Sequence, residues 1–483
     1  MTESEARRIA VIGGGVAGLA TARHIVDGAR AARRRVSVTV FEKNDAPGGH
    51  LRTIRDGDWQ LEWGPNGFLD NEPATLRLVE RLDLNGALLR SSDAARKRFL
   101  LSGGRLQELP SSPPAFIKTG LLSPLAKLRV ACEFLVRKRA GLDDPNPAPE
   151  ADETIYDFGV RRLGREFAEV FLDPMVKGVF GGDARELSLA AAFPRMVELE
   201  RDHGGLFKAL IAISKQKKKA ADAGPSGTLH SFRGGMAALI DALVGSLDGD
   251  DDAEVRTSAP VTGLTRDDAG WTVTTDDASH GPFDAVVDAS PAHEAAGHAP
   301  GPELRELIGG IDYSPMAVVT LGFASDDVGH DVDGFGHLIP TREGHRLLGA
   351  LWTSSIFSDR AAGGHVLIRA MAGGPRDPHI LDLDDDALVA LAVAELTPVL
   401  DLRSMPVRSW VIRHPHAIAQ YRPGHLRRLK DLDQALAAWP GLVLTGSSYR
   451  GISVNYCAKE AEIAAARILD HLASAPAAAE GGV

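Results

Sequence analysis

At 483 residues, 44% of them hydrophobic and 6% aromatic, the chain is long enough for two or three domains with large cores. A formal net charge of −11 argues against general nucleic-acid binding, which runs on phosphate neutralisation. Only Cys132 and Cys457 are present, so neither a disulfide framework nor a cysteine metal cluster is expected, and a reducing cytoplasm is the simplest setting. Met1 to Arg8 is polar and charged, and no stretch reaches the roughly 18 apolar residues of a membrane-spanning helix, so neither a secretion signal nor a span is expected.

The first element is an apolar run, Ile9 to Ile12, which reads as a buried parallel strand. Gly13-Gly14-Gly15-Val16-Ala17-Gly18 follows, then an alanine-rich helix from Leu19 to about Val26. In such a GxGxxG turn Gly13 permits the tight bend, Gly15 lets a pyrophosphate approach the backbone, and Gly18 lets helix and strand lie close. A second strand, Val36 to Phe41, ends on Glu42 and Lys43, and the acid is placed to take the ribose hydroxyls of an adenosine. The pattern predicts a dinucleotide site.

Next come Pro47-Gly48-Gly49-His50-Leu51-Arg52-Thr53 and Glu62-Trp63-Gly64-Pro65-Asn66-Gly67. Here the chain resembles the flavin-dependent amine oxidase superfamily, in which a second glycine pair sits by the FAD diphosphate. The resemblance implies FAD, with Gly49, His50, Gly64, Pro65, Asn66 and Gly67 among the residues around it.

Ala74 to Leu89 has apolar residues three and four apart, as on an amphipathic helix. Lys97-Arg98-Phe99-Leu100-Leu101 enters a short strand with a turn at Gly103-Gly104. Read alone, Arg98 is a solvated strand-end arginine; in porphyrinogen oxidases, which this segment resembles, the matching arginine pairs with a substrate propionate. Ser111 to Arg139 interleaves Leu121, Leu122, Leu125, Leu128, Val130, Phe134 and Leu135 with Lys127, Arg129, Arg137, Lys138 and Arg139. Two readings stay open: a face lying in a membrane interface, or a pair of core helices with solvated charges. Asp143 to Glu153 is an acidic, proline-rich surface loop.

Thr154 to Phe193 resembles the porphyrinogen oxidase segment in which a helix runs into a loop over the flavin; Gly178, Val179, Phe180, Gly182, Asp183, Leu187 and Ser188 match it, and Gly178 is carried over as a site residue. The lysine-rich run Lys215 to Lys219 reads as a solvated face. Met236 to Leu247 is helical in spacing, with Met236 read as core, and Val261 to Leu264 with Trp271 to Thr275 reads as a hairpin. By resemblance Val261 lies beside the adenine. Phe283 to Ala289 reads as a buried strand rejoining the first sheet.

Met316 to Phe323, Gly334 to Pro340, Leu347 to Trp352 and His365 to Met371 are strand-like and suggest a second, mainly antiparallel sheet. The resemblance puts Leu338 against the tetrapyrrole face and Met371 nearby; His337 is read as packing before base. Leu442 to Thr445, the turn through Gly451, and a helix from Ala458 to Leu472 form the C-terminal FAD motif of the superfamily, in which amides of Ile452, Ser453 and Val454 hold the ring edge. Asn455-Tyr456-Cys457 departs from the usual Asn-Asp-Cys, and a covalent bond to Cys457 is not expected. The tail from Ala473 is read as disordered.

The expected fold is α/β: a Rossmann-type FAD-binding domain with an antiparallel-sheet substrate domain and a helical insertion. The expected parts are 1–92, 227–293 and 440–483 for FAD, 93–226 for the insertion and 294–439 for substrate. The resemblance implies an oxygen-dependent oxidase of protoporphyrinogen IX in tetrapyrrole and haem biosynthesis, acting by three two-electron hydride transfers, with coproporphyrinogen III as the alternative substrate. An amine oxidase and a non-catalytic flavin-binding protein are the remoter readings. No metal is expected; a homodimer and peripheral attachment to the inner face of the cell membrane follow from family precedent.

Overall fold

The computed structural model describes residues 6–217 and 227–474. Lys218, Lys219 and the tail from residue 475 lie outside the described residues.

A five-stranded parallel sheet is assembled from distant pieces of chain, in the order Ala253–Arg256, Val36–Phe41, Arg7–Ile12, Ala285–Asp288, Leu442–Leu444. Its inner strands carry buried apolar runs such as residues 9–12 and 285–287, as a sheet covered on both faces requires, while the edge strand Ala253–Arg256 alternates. On one face pack the helices Val16–Ala31, Ala237–Asp248 and Val454–Ser474, the last docking Ala461, Ala465 and Ile468 in the core shared with Leu19, Ala22 and Ile25. Met236 is fully buried there. The other face carries the antiparallel meander Val261–Asp267, Gly270–Thr275 and Ser279–Phe283.

A seven-stranded sheet forms the second layer, in the order Arg408–Ala419, Tyr313–Ala324, His365–Gly373, Leu347–Trp352, Gly336–Leu338, Phe99–Ser102, Arg105–Glu108. Its pairings are antiparallel except that Gly336–Leu338 runs parallel to Phe99–Ser102. The stretch expected as a helical insertion therefore also supplies a hairpin to this sheet. The helix Asp385–Leu400 covers one face through Leu388, Ala392 and Leu396, while Trp59 and Leu61 cover the other.

Some local expectations are corrected. The helix expected over 74–89 is Pro73–Arg81 only, since Asp83 sits at φ 55° and turns the chain. Gly178 to Phe180 are not loop residues but the last turn of the helix Asp173–Phe180, which Gly181 ends at φ 55°. The C-terminal helix starts at Val454, earlier than expected. Between Ser111 and Arg139 the helices are short, Pro113–Lys118 and Pro124–Ala131. Leu121, Leu122 and Val130 are buried, while Leu125, Leu128 and Leu135 are 79%, 62% and 68% exposed. Lys127 donates to the carbonyls of Ile117 and Thr119, and Arg129 to those of Arg161 and Arg162, so these two cations serve the fold.

Three buried histidines make the fold acid-sensitive. Burial lowers His337 from 6.5 to about 3, and lowers His414 and His425 to about 4. The unfolded chain takes up these protons near 6.5 and the folded chain refuses them, so stability falls as pH drops from 6.5 towards 4. The slope is at most about 1.4 kcal/mol per pH unit for each histidine. Neither ring nitrogen of His337 has a hydrogen-bond partner. His337→Leu is expected to remove one proton from this slope in denaturant titrations across that window; an unchanged slope refutes the assignment.

Candidate functional site

The carboxyl ends of the parallel strands open into a cavity of 640 Å³, near the middle of the range of ligand sites, about 300–1,000 Å³. Its walls come from the glycine turn (Gly13, Gly15, Val16, Ala17), the end of the second strand (Glu42, Lys43), the second glycine pair (Gly49, His50), Pro65, Val261 and the C-terminal turn (Ile452, Val454). Thus twelve of the cofactor residues expected from sequence meet in one space.

The turn is built by close approach. A Cβ on Gly18 would lie 2.0 Å from the Gly13 carbonyl oxygen, and one on Gly14 would lie 2.9 Å from Glu42 Oε2. The Gly14 N–H donates to Glu42 at 2.8 Å, and Glu42 also accepts from the Asn44 N–H at 2.9 Å. The acid at the strand end therefore also clamps the turn. Gly48 N–H donates to Gly14 O at 2.8 Å, which binds the two glycine turns together. No side chain caps the helix at Gly15, so the first amides of Val16–Ala31 stay free beside the cavity.

The remaining expected residues stand behind the wall. Gly64 and Gly67 allow backbone contact, since Cβ atoms there would fall 2.2 Å from the carbonyl oxygens of His50 and His230. Asn66 accepts from Arg369 Nη1 at 2.9 Å. Ser453 accepts from the Tyr456 N–H at 3.3 Å. Asn455 accepts from Thr75 Oγ1 at 2.7 Å and donates to Leu69 O at 2.9 Å, while Tyr456 is 41% exposed, so the departure from Asn-Asp-Cys falls on a surface position. Cys457 does line the cavity, but burial pushes its thiol up to about 12, leaving it protonated and a poor nucleophile.

Arg52, the basic residue behind the second glycine pair, also lines the wall, whereas sequence reasoning missed Ser290, His293, Glu294 and His298. Ser290 was within reach, because it follows a parallel strand whose carboxyl end must open into the crevice. Lys43 donates to Glu294 at 2.5 Å; burial opposes ionisation, yet hydrogen bonds from His293 and Lys43 bring the Glu294 carboxyl down to about 2. His298 meets Asp288 at 2.7 Å, and although burial works against it, that carboxylate raises its affinity for a proton. Uncapped amides and Arg52 suit a diphosphate, and the apolar strip Ala259, Pro260 and Val261 suits an adenine, so the residues present fit FAD.

Leu338 and Met371 lie in one row across the seven-stranded sheet, with Gly349 between them in register. Strands two apart are roughly 10 Å apart. Gly178 joins them, since its Cβ would fall 2.7 Å from Leu338 Cδ2. Arg98, just before Phe99–Ser102, is exposed, with its guanidinium 5.0 Å from the centre of the Phe335 ring. Where this sheet meets the cavity, His50, Trp63 and His414 pack together, Trp63 and His414 with ring centres 4.2 Å apart.

The sequence pattern of the flavin containing amine oxidoreductases matches residues 16–469. The protoporphyrinogen oxidase of Bos taurus is 31% identical over 96% of this chain and 98% of its own length. The coproporphyrinogen III oxidase of Propionibacterium freudenreichii subsp. freudenreichii is 30% identical over 97% of this chain and 92% of its own length, and that of Bacillus subtilis (strain 168) is 25% identical over 97% and 99%. Among solved structures, a protein of Exiguobacterium sp. 255-15 superposes with TM-score 0.80 at 23% identity, covering 98% of this chain and 100% of its own. This likeness concerns the fold. With the cavity, these matches establish that the chain belongs to the flavin containing amine oxidoreductase family, among its porphyrinogen oxidases, and is an FAD-dependent oxidoreductase.

Proposed function

We propose that the chain oxidises protoporphyrinogen IX to protoporphyrin IX in tetrapyrrole biosynthesis, removing six hydrogens in three two-electron steps with molecular oxygen as final acceptor and hydrogen peroxide as its product. The observation that carries the reading is the apolar row Leu338, Gly349, Met371 on the sheet beside the cavity, in a chain similar along nearly its whole length to protoporphyrinogen oxidases. Bound FAD supplies the hydride acceptor.

The protein's part is orientation more than acid–base chemistry. Gly349, where a Cβ would lie 2.4 Å from His337 O and 3.1 Å from Leu338 Cδ2, lets the Leu338 strand and side chain close up beside Met371, and Gly178 admits Leu338 closely. Arg98 holds a propionate at the rim. His50 and His414, their pKa values lowered by burial, add no positive charge against the reacting face at neutral pH. The exposed Leu125, Leu128 and Leu135, next to Arg137 and Lys138, support a peripheral membrane contact. No helix among the described residues is long and apolar enough to cross a membrane.

Coproporphyrinogen III is the second reading, favoured by the relatives of that name in Bacillus subtilis and Propionibacterium freudenreichii. Comparing kcat/KM for the two porphyrinogens in air, by porphyrin fluorescence, decides between them. Turnover of neither by FAD-loaded protein sinks both. Arg98→Ala is expected to raise KM by roughly 10- to 100-fold, the worth of a charge-assisted hydrogen bond. Unchanged kinetics would remove Arg98 from the site.

A further inference from the structure

Behind the wall formed by Trp63 and Pro65 the fold buries more positive than negative charge. Glu62, 1% exposed, accepts from Thr53 Oγ1 at 2.8 Å and the Met236 N–H at 3.1 Å, and lies 3.4 Å from Arg360. The second acid of Arg360, Asp359, is 33% exposed. Arg369 is the further cation. It lies on the strand His365–Gly373, two residues before Met371 and on the same face, and is 5% exposed.

No carboxylate among the described residues stands within ion-pair distance of Arg369. Its Nη1 donates to the neutral Asn66 amide oxygen at 2.9 Å, and its Nε has no partner. Thr320, paired with it in register and 1% exposed, likewise has an unpartnered Oγ1. Burial lowers the Arg369 guanidinium to about 10, still cationic at neutral pH. Glu62 attracts it from beyond ion-pair distance, but that one carboxylate is shared with Arg360. A buried cation hydrogen-bonded to a neutral group and sharing its nearest carboxylate with a second arginine is under-compensated in the resting fold and gains when an anion forms nearby.

The chain from Arg369 to the cavity is short: Asn66 follows Pro65, and Glu62 precedes Trp63, both cavity residues. We infer that Arg369 is an electrostatic positioning residue that favours the reduced state of the bound flavin. Hydride uptake brings two electrons and one proton from the substrate carbon, which leaves one added negative charge in the cavity, and a buried cation lowers the free energy of that state. The inference needs the flavin only, and stands whichever porphyrinogen is oxidised.

The test is the two-electron midpoint potential of the FAD-loaded protein against a reference dye, with melting temperature and FAD affinity measured alongside. Arg369→Gln is expected to shift the equilibrium about tenfold towards oxidised flavin, a fall of about 30 mV. Arg369→Lys keeps the charge and is expected to stay within threefold of the parent. Asn66→Asp supplies the missing carboxylate and is expected to fall as Arg369→Gln does, which decides the matter should the glutamine variant fail to fold. Parental potentials in both neutralised variants, even with lower stability, overturn the inference in favour of a structural role. So does a lysine variant that falls as far as the glutamine one.

Discussion

Gly18→Ala is expected to give a protein that leaves the column colourless. The added methyl would sit 2.0 Å from Gly13 O, 3.2 Å from Gly13 C and 3.3 Å from the Ala289 side chain. The first two are backbone atoms, so no rotamer change relieves the clash. Either the helix Val16–Ala31 lifts off the sheet, or the Gly13 turn, held at φ 100°, opens. Both movements displace the turn that walls the cavity and break the register of Gly14 on Glu42. Overpacking of this kind costs about 1–3 kcal/mol, which corresponds to roughly 5- to 150-fold in FAD affinity. Gly245→Ala is the control, since a Cβ there meets nothing within 4 Å and removes a glycine from the helix Ala237–Asp248. It is expected to gain about 0.5–1 kcal/mol and keep its flavin. Absorbance at the flavin band after gel filtration reads both. A yellow Gly18→Ala protein with parental FAD affinity would refute the close approach.

Arg162→Met is expected to be the most destabilising single change in the helical region. Arg162, Glu133 and Glu200 are all fully buried. Arg162 Nε donates to Glu133 at 2.7 Å and Nη1 to Glu200 at 3.0 Å, and Nη2 also pairs with Glu133. Glu133 further accepts from the amides of Leu206 and Phe207, and Arg161 ties Glu200 to Glu153. One guanidinium thus joins four helical segments. Removing it leaves Glu133 without a cation in the interior, which costs about 3–5 kcal/mol. Arg162→Lys keeps the charge but not the fork and is expected to lie between. Denaturant midpoints measure the series; a loss under about 1 kcal/mol for Arg162→Met would show that the acids find other partners.

What the sequence made legible is what it encodes locally. The strand Val36–Phe41 has the expected bounds, and the glycine turn, its terminal acid and the second glycine pair fall together because each motif is contiguous. The long strand Arg408–Ala419 went unread: Arg408, Arg413, His414 and His416 mask its alternation, and Pro415 breaks it where the pairing with Tyr313–Ala324 slips register. Ser290 follows a strand that the sequence did place in the first sheet, whereas His293 and Glu294 lie on the short helix Ala292–His298, whose approach to the cavity no local motif marks. Arg369 was hidden for another reason. A cation in an alternating strand reads as the solvent side, and only the covering of that face by Trp59 and Leu61 makes it interior.

The first helix of the parallel sheet packs against the last described helix, Val454–Ser474, and the strand Leu442–Leu444 forms one edge of the sheet. During synthesis the apolar side of Val16–Ala31 emerges long before its partner. At about 5–20 residues per second, roughly 20–90 s separate the two. Through that interval the nascent domain is an open sheet with a sticky helix, and the turn carrying Ile452 and Val454 does not yet exist to finish the cavity. Completion of the cavity is thus expected to come late, when the turn carrying Ile452 and Val454 and the helix after it have joined the first strand, turn and helix.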